Sequence, residues 1–256
     1  MVEKKIRLGK IHADCLTFSE ALRAIELLIE AGEGGFVVTP NVDHVVLAEH
    51  DERLRDAYTD ASLSLADGMP LIWMSHILGT PLPEKISGSD LVVPLLRRAA
   101  TLEKSVYFLG SAEGVGEEAG RRLKQDIESL NIVGTDSPPF GFEQDETEEE
   151  RTMQKVIDAK PDVVLFALGC PKQELLMHKW YKKLAPSILL GIGASLDFLA
   201  GNVKRSPRWM SKMGLEWMYR LSQDPQRLAK RYLGRDLAIL PIFLRMFVAA
   251  KGRTSK

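Results

Sequence analysis

The chain has 256 residues, 45% hydrophobic and 27% charged, with a formal net charge of −1, as expected of a globular, soluble protein with one sizeable core plus an extra element. Its two cysteines, Cys15 and Cys170, form no CxxC pair and its five histidines show no HExxH spacing, so neither a disulfide framework nor a built-in metal is expected. The opening MVEKKIRLGK has no apolar signal core and no run reaches the about 20 apolar residues of a spanning helix, so the expected location is cytoplasmic.

The charge is unevenly spread. Residues 202–256 hold 13 of the 34 Lys and Arg but only 3 of the 35 Asp and Glu, a basic module on an acidic body. Such asymmetry points to an anionic partner for the tail: a diphosphate, an anionic membrane surface or nucleic acid. Nucleic acid is not expected, because the rest of the chain is acidic and Trp209 and Trp217 suit a core or a membrane interface as well as base stacking.

In chain order, β-rich runs alternate with helix-period segments, the pattern of βαβ units in a largely parallel sheet. Weak strand signal lies near 5–11, followed by a helix near 18–31 that opens on the capping box Thr17 and Glu20 and carries the stripe Leu22, Ile25, Ile29. Strands are expected at 35–39 (GFVVT), 62–66 (SLSLA), 105–109 (SVYFL), 162–168 (DVVLFAL) and 187–192 (SILLGI), with a weaker one at 130–135. The acidic DETEEE run, 145–150, reads as the first turn of a helix, favoured there by the helix dipole. After Gly193 only helical segments remain, punctuated by Ser206-Pro207 and Asp224-Pro225, each read as an N-cap before a proline at the first helical position. A boundary near 195 therefore divides an α/β, Rossmann-like core with helices on both faces (1–195) from a basic all-helical appendage (196–256). The final DLAILPIFLRMFVAAKGR is apolar but broken by Pro241 and Arg245, and suits lying in a membrane surface.

Ligands of open parallel sheets bind beyond the carboxyl ends of the strands. Each clear strand here runs into a polar or glycine loop there: Thr39-Pro40-Asn41, Asp67-Gly68, Gly110-Ser111, the GCPKQE loop with Gly169 and Gln173, and Gly191-Ile192-Gly193. Any one of these has a plainer explanation, since Thr39 or Asp67 could cap the next helix and the glycines could serve tight turns. Both glycine loops miss the GxGxxG spacing and no Walker loop is present, so a dinucleotide or P-loop site is not indicated. In the tail, Arg227, Arg231 and Arg235 recur every fourth residue on one helix face, and Arg220 ends the helix before it. Forked guanidinium groups suit a diphosphate; a solvated face or headgroup contact is the alternative, above all for Lys230 and Arg235.

Taken together, TPN (39–41), ADG (66–68), GSD (88–90), PPFGF (138–142), ALGCPKQE (167–174), GIGASLDFLAG (191–201), KRSPRWM (204–210) and EWMYRL with DPQR and RYL (216–233) resemble the WecG/TagA/CpsF family of bacterial glycosyltransferases almost end to end. The resemblance implies inverting transfer of a sugar, N-acetylmannosamine foremost, from a UDP donor to the 4-hydroxyl of N-acetylglucosaminyl-diphospho-undecaprenol. Such transfer belongs to teichoic-acid linkage units and related surface glycans, at the cytoplasmic membrane face. Where the family pattern leads us to expect arginine before GSD, this chain has Lys85, which keeps the charge but loses the fork.

No two of the fifteen aspartates stand two apart, so there is no Asp-x-Asp metal motif, and protein cations are expected to stabilise the leaving diphosphate without cofactor or metal. On this reading Asp67 is the general base, Thr39 and Asn41 orient sugar or acceptor, and Gln173 contacts the donor sugar. Arg220, Arg227 and Arg231 hold the diphosphate, and Lys85, Asp90, Gly110, Gly169, Gly191 and Gly193 complete the substrate surface. Transfer of N-acetylmannosaminuronate or glucose is the alternative, followed by a non-catalytic nucleotide-sugar binder. A nucleotide-sugar epimerase or dehydrogenase would need a complete dinucleotide fingerprint and a Tyr-x-x-x-Lys pair, and none of Tyr58, Tyr107, Tyr181, Tyr219 or Tyr232 has Lys four positions on. A homo-oligomer is considered as a further partner, with no subunit number readable from the sequence.

Overall fold

Alternate residues of a strand face opposite ways, so a strand apolar throughout must be covered on both sides. The computed structural model, which describes residues 4–254 apart from the side chains at 208, 212, 227, 233, 253 and 254, shows that arrangement. The first half contains β1 (Lys5–Leu8), β2 (Ile11–Asp14), α1 (Phe18–Ala31), β3 (Gly35–Val38), α2 (Val42–Ala48), α3 (Glu52–Asp60), β4 (Leu63–Ser64), α4 (Met69–Ile77), α5 (Gly88–Thr101), β5 (Ser105–Gly110) and α6 (Val115–Asp126). It continues through β6 (Asn131–Asp136), α7 (Glu146–Ala159), β7 (Val163–Ala167), α8 (Lys172–Leu184), β8 (Ile188–Gly191) and α9 (Ser195–Ala200), then α10 (Arg208–Lys212), α11 (Glu216–Gln223), α12 (Pro225–Ala229) and α13 (Ile239–Thr254).

Six strands form one parallel sheet in the order β4-β3-β8-β7-β5-β6. Phe36, Val38, Tyr107, Leu109, Val164, Phe166 and Leu189 point into one core, beneath α2, α3, α4, α7 and α8. Their neighbours Val37, Val106, Phe108, Val163, Leu165, Ile188 and Leu190 point into the other, beneath α1, α5, α6 and α9. The α/β architecture with helices on both faces is thus the one the alternation of elements predicts.

Four details differ from the sequence reading. The weak strand at 5–11 is a hairpin: Gly9, at φ 62, turns the chain, and β1 pairs antiparallel with β2 in a separate sheet. SLSLA keeps only Leu63 and Ser64 in regular pairing, because beyond them Leu65 and Ala66 bond to Val38 and Ile86 outside the ladder. Pro207 is itself the N-cap of α10 and Ser206 does not cap it; the Ser206 hydroxyl has no hydrogen-bond partner. Pro225 does open α12, but the helix widens into a π-helical stretch, Lys230–Arg235, and a 3₁₀ turn, Asp236–Ala238.

Past residue 195, α9 still belongs to the packed body: Leu196 and Ala200 are buried in the second core. The last helices then fold back. Arg231 and Arg235 reach Asp43 of α2 at 3.5 and 2.6 Å, Arg245 reaches Glu49 at 2.6 Å, and Ile242 is buried against the first core. The opposite side of the C-terminal segment leaves Leu237, Leu240, Leu244 and Val248 each more than half exposed. No helix among the described residues is long and apolar enough to cross a membrane.

The α1 capping box forms as predicted, with Thr17 and Glu20 each bonding the other's backbone N–H. Thr17→Ala removes one half of it and should cost about 1 kcal/mol. Thermal unfolding should register this as a midpoint about 2–4 °C lower.

Candidate active site

The sheet delivers three chain exits to one place. At the end of β4, the Asp67 N–H donates to Pro40 O at 2.7 Å, and Gly68 follows at φ 122, a conformation that a side chain would strain. That turn leaves the Asp67 carboxyl out of any capping role: Gly68 holds the N-cap position of α4 and no side chain caps the helix. Asn41 takes the plainer role, capping α2 by accepting from the Asp43 N–H at 2.9 Å. Thr39 is buried and donates to Gly191 O at 3.5 Å, tying β3 to β8. Buried Gln173 bridges the neighbouring loops: its Oε1 accepts from Gly169 and Gly193, and its Nε2 donates to Glu174. A Cβ on Gly191 would stand 2.7 Å from that Gln173 nitrogen, so the residue must stay glycine for this packing.

Over these exits the C-terminal helices close a cavity of about 340 Å³. Asn41, Asp67, Lys85, Arg220 and Arg231 line it together, joined by Ser211, Glu216, Trp217, Tyr232 and Asp236. Trp217 and Tyr232 meet edge to face, with ring centres 6.0 Å apart. Lys85 donates to Ser211 at 3.1 Å and pairs with Asp90 at 3.4 Å and Glu216 at 3.5 Å, standing also in the wall of a second, wider cavity of about 710 Å³. Asp90 lines that second cavity, bonded to Ser87 and Arg205. Arg220 pairs with Glu216 and lies over the Phe198 ring.

Of the other residues singled out from the sequence, Thr39, Gln173, Gly191 and Gly193 form the scaffold at the strand ends and do not line the first cavity. Gly110, at φ 109, and Gly169, at φ 76, turn the chain after β5 and β7. The side chain of Arg227 lies outside the described residues. The sequence reading missed Glu216, Ser211, Tyr232 and Asp236. Glu216 and Tyr232 sit inside motifs quoted above, EWMYRL and RYL, but their place in the pocket emerges only when α11 reaches Lys85 and the π-helical stretch packs on α2.

Electrostatics single out Asp67. No side-chain hydrogen bond engages its carboxylate among the described residues; enclosure by protein, with Glu216 and Asp90 nearby, pushes its pKa up to about 6 against the opposing pull of Lys85 and Arg220. At Asp90 and Glu216 burial also opposes ionisation, but hydrogen bonds and the neighbouring cations outweigh it and hold both below the usual carboxylate range.

One trio offers metal-ligand atoms within 4.8 Å of one another: His44, Cys170 and Glu174. Burial lowers the His44 pKa to about 3 and raises that of Glu174 to about 7 and the Cys170 thiol well above its ordinary value. Each is thereby driven toward its neutral form; Tyr58 hydrogen-bonds His44, whereas the Gln173 N–H donated to Glu174 favours the carboxylate and only partly offsets its burial. The trio joins α2 to α8, so no sequence spacing reveals it.

The model of the glycosyl transferase WecG/TagA/CpsF family matches residues 6–255. A Bacillus spizizenii protein is 34% identical over 199 residues, 78% of this chain and 75% of its own length. One from Bacillus subtilis strain 168 is 30% identical over 194 residues, 76% and 73% of the two chains. One from Staphylococcus aureus strain MRSA252 is 29% identical over 221 residues, 86% and 82%. All three carry the name N-acetylglucosaminyldiphosphoundecaprenol N-acetyl-beta-D-mannosaminyltransferase.

With a folded pKa of about 6 against an ordinary 3.8, Asp67 keeps its proton in the folded state over a range where the unfolded chain has lost it. Its ionisation therefore costs stability as pH rises through that window, and the cost is fully present above pH 6. Asp67→Asn removes it. The variant should melt above wild type at pH 8, and this advantage should vanish near pH 4.

Proposed function

Because the chain belongs to the WecG/TagA/CpsF family and is a glycosyltransferase, we propose that it moves N-acetylmannosamine from a UDP donor to the 4-hydroxyl of N-acetylglucosaminyl-diphospho-undecaprenol, with inversion, as a step in building a cell-surface glycan such as a teichoic-acid linkage unit. The acceptor chemistry follows the printed names of the relatives. The observation that carries the reading is the pocket in which a carboxyl of pKa about 6 faces three cations, Lys85, Arg220 and Arg231.

Asp67, ionised at neutral pH, takes the proton of the acceptor 4-hydroxyl as its oxygen forms a bond to the anomeric carbon from the face opposite the leaving group. The bond from that carbon to the UDP oxygen breaks, and the electron pair leaves with UDP. Arg220 and Arg231, which line the same pocket, are assigned to that growing negative charge, and Lys85 adds a single charge where a fork is absent. Asn41, spent on capping α2, holds the loop beside Asp67, and Thr39 and Gln173 fix the strand ends from behind. Asp90 and the turns at Gly110, Gly169, Gly191 and Gly193 shape the surrounding surface, and Arg227 on α12 is assigned to the diphosphate with its two neighbours.

The lipid half of the acceptor has a matching surface. Trp217, Leu237 and Ile239 line the pocket, and exposed Trp209, Met213, Met218, Leu240, Leu244 and Val248 extend the apolar surface over the C-terminal helices. We place this surface in the cytoplasmic leaflet, with the basic residues of 202–256 toward lipid headgroups. On this reading residues 196–256 form the membrane-facing appendage, with α9 its packed root on the catalytic core.

With UDP-N-acetylmannosamine and a soluble N-acetylglucosaminyl-diphospho-lipid analogue, free UDP should appear only when both are present. Asp67→Asn should lower turnover by about 10²–10⁴-fold while leaving UDP affinity nearly intact. Wild-type turnover in the variant would remove Asp67 from the mechanism, and kcat/KM of the native enzyme should fall below pH 6 as Asp67 takes up its proton. Activity should persist in excess EDTA; its loss, restored by Mg²⁺ or Mn²⁺, would contradict leaving-group stabilisation by protein cations.

A further inference from the structure

Lys85 and Arg220, two of the cations assigned to the diphosphate, already have an anion between them. Glu216 opens α11; its Oε1 pairs with Arg220, while its Oε2 accepts from Ser211 at 3.1 Å and lies 3.5 Å from Lys85. It lines the pocket that holds Asp67 and is one-fifth exposed at the side chain. A carboxylate between two cations is the simplest protein mimic of a bridging phosphate oxygen. Both cations have other partners to fall back on, Ser211 and Asp90 for Lys85 and the Phe198 ring for Arg220. Glu216 in turn stands in the first turn of a helix, where unpaired backbone N–H groups and the helix dipole stabilise an anion that loses its partners.

We propose that Glu216 is an exchangeable counter-anion of the active site: it holds Lys85 and Arg220 in the empty pocket, gives them up to the diphosphate of the bound donor, and reclaims them as UDP departs. The proposal rests on the assignment of those cations to the diphosphate. It gives Glu216 two effects. Its competition weakens UDP binding and speeds product release. Its charge also disfavours ionisation of Asp67, which is faced by Lys85 from the loop before α5, Asp90 from α5, Glu216 and Arg220 from α11, and Tyr58 from α3, with Arg231, Tyr232 and Asp236 in the same cavity wall. Glu216 is thus a positioning residue, acting through the groups that touch substrate.

The test compares native enzyme with Glu216→Gln, Glu216→Ala and Glu216→Asp, using UDP as the calorimetric probe and the soluble acceptor analogue for kinetics. Glu216→Gln, which keeps size and shape, should bind UDP about three- to tenfold more tightly, lower kcat through slower release, and move the acid limb of kcat/KM to lower pH. Glu216→Ala should shift UDP affinity and the acid limb the same way, and Glu216→Asp should stay close to native. Weaker or unchanged UDP binding in the Gln and Ala variants, with the acid limb unmoved, would make Glu216 a fixed strut and overturn the proposal. Arg220→Ala separates the two layers. If it weakens UDP binding while the Glu216 variants do not tighten it, only the exchange fails; if it leaves UDP binding intact, the diphosphate assignment fails and the exchange with it.

Discussion

Asp43 leaves only 3% of its surface accessible, and a carboxylate so enclosed is tolerable only with cations against it. Arg231 and Arg235 supply them, from a stretch almost two hundred residues further along the chain. The pocket depends on this clasp. Asp43 belongs to α2, whose N-cap Asn41 lines the cavity floor, while Arg231, Tyr232 and Asp236 form the wall that the clasp holds in place. Removing Asp43 would release that wall; removing the arginines would strand a buried charge. Ile242 in the first core and Arg245 on Glu49 secure the same fold-back farther along.

Within the closed space, chemistry follows from a near balance of charge. Lys85, Arg220 and Arg231 line that space with Asp67, Glu216 and Asp236, Asp90 meets Lys85 from the adjoining cavity, and the effect on each carboxyl differs with its contacts. Asp90 and Glu216 touch cations directly and remain ionised. Asp67 feels the same cations from farther away and stays near a pKa of 6, ionised at neutral pH yet basic enough to accept a proton. Two carboxylates thus hold cations, and the third is the one that the proposed mechanism uses for proton transfer.

The C-terminal segment presents two unlike sides. Its inner side carries the ion pairs and the buried Ile242, and its outer side carries Leu240, Leu244 and Val248, at the four-residue spacing that aligns side chains on one helix face. The proposed acceptor, with a diphosphate head and a hydrocarbon tail, would use that juxtaposition of cations lining the pocket and apolar surface on the same helices. On the proposed function the same helices would both close the site and meet the bilayer.

The amino-acid sequence by itself determined the architecture and the rim. Runs such as DVVLFAL are apolar on both faces, which forces a covered parallel sheet, and the capping box at Thr17 is local chemistry visible in four letters. Asp67-Gly68 was legible as a strand end bearing a charge, because an acid followed by glycine at the end of an apolar run marks a turn regardless of what lies above it. The tertiary structure alone decided which of these residues cap and which face the cavity: Asn41 caps, Asp67 does not, and Gln173 is committed to backbone. It also decided that Glu216 stands between Lys85 and Arg220, and that Arg231 and Arg235 close on Asp43. The relations of Lys85 to α11 and of Asp43 to the two arginines join residues more than a hundred to nearly two hundred positions apart, and short-range periodicity carries no term for them; they arise only when enclosed charges must find partners across the folded chain.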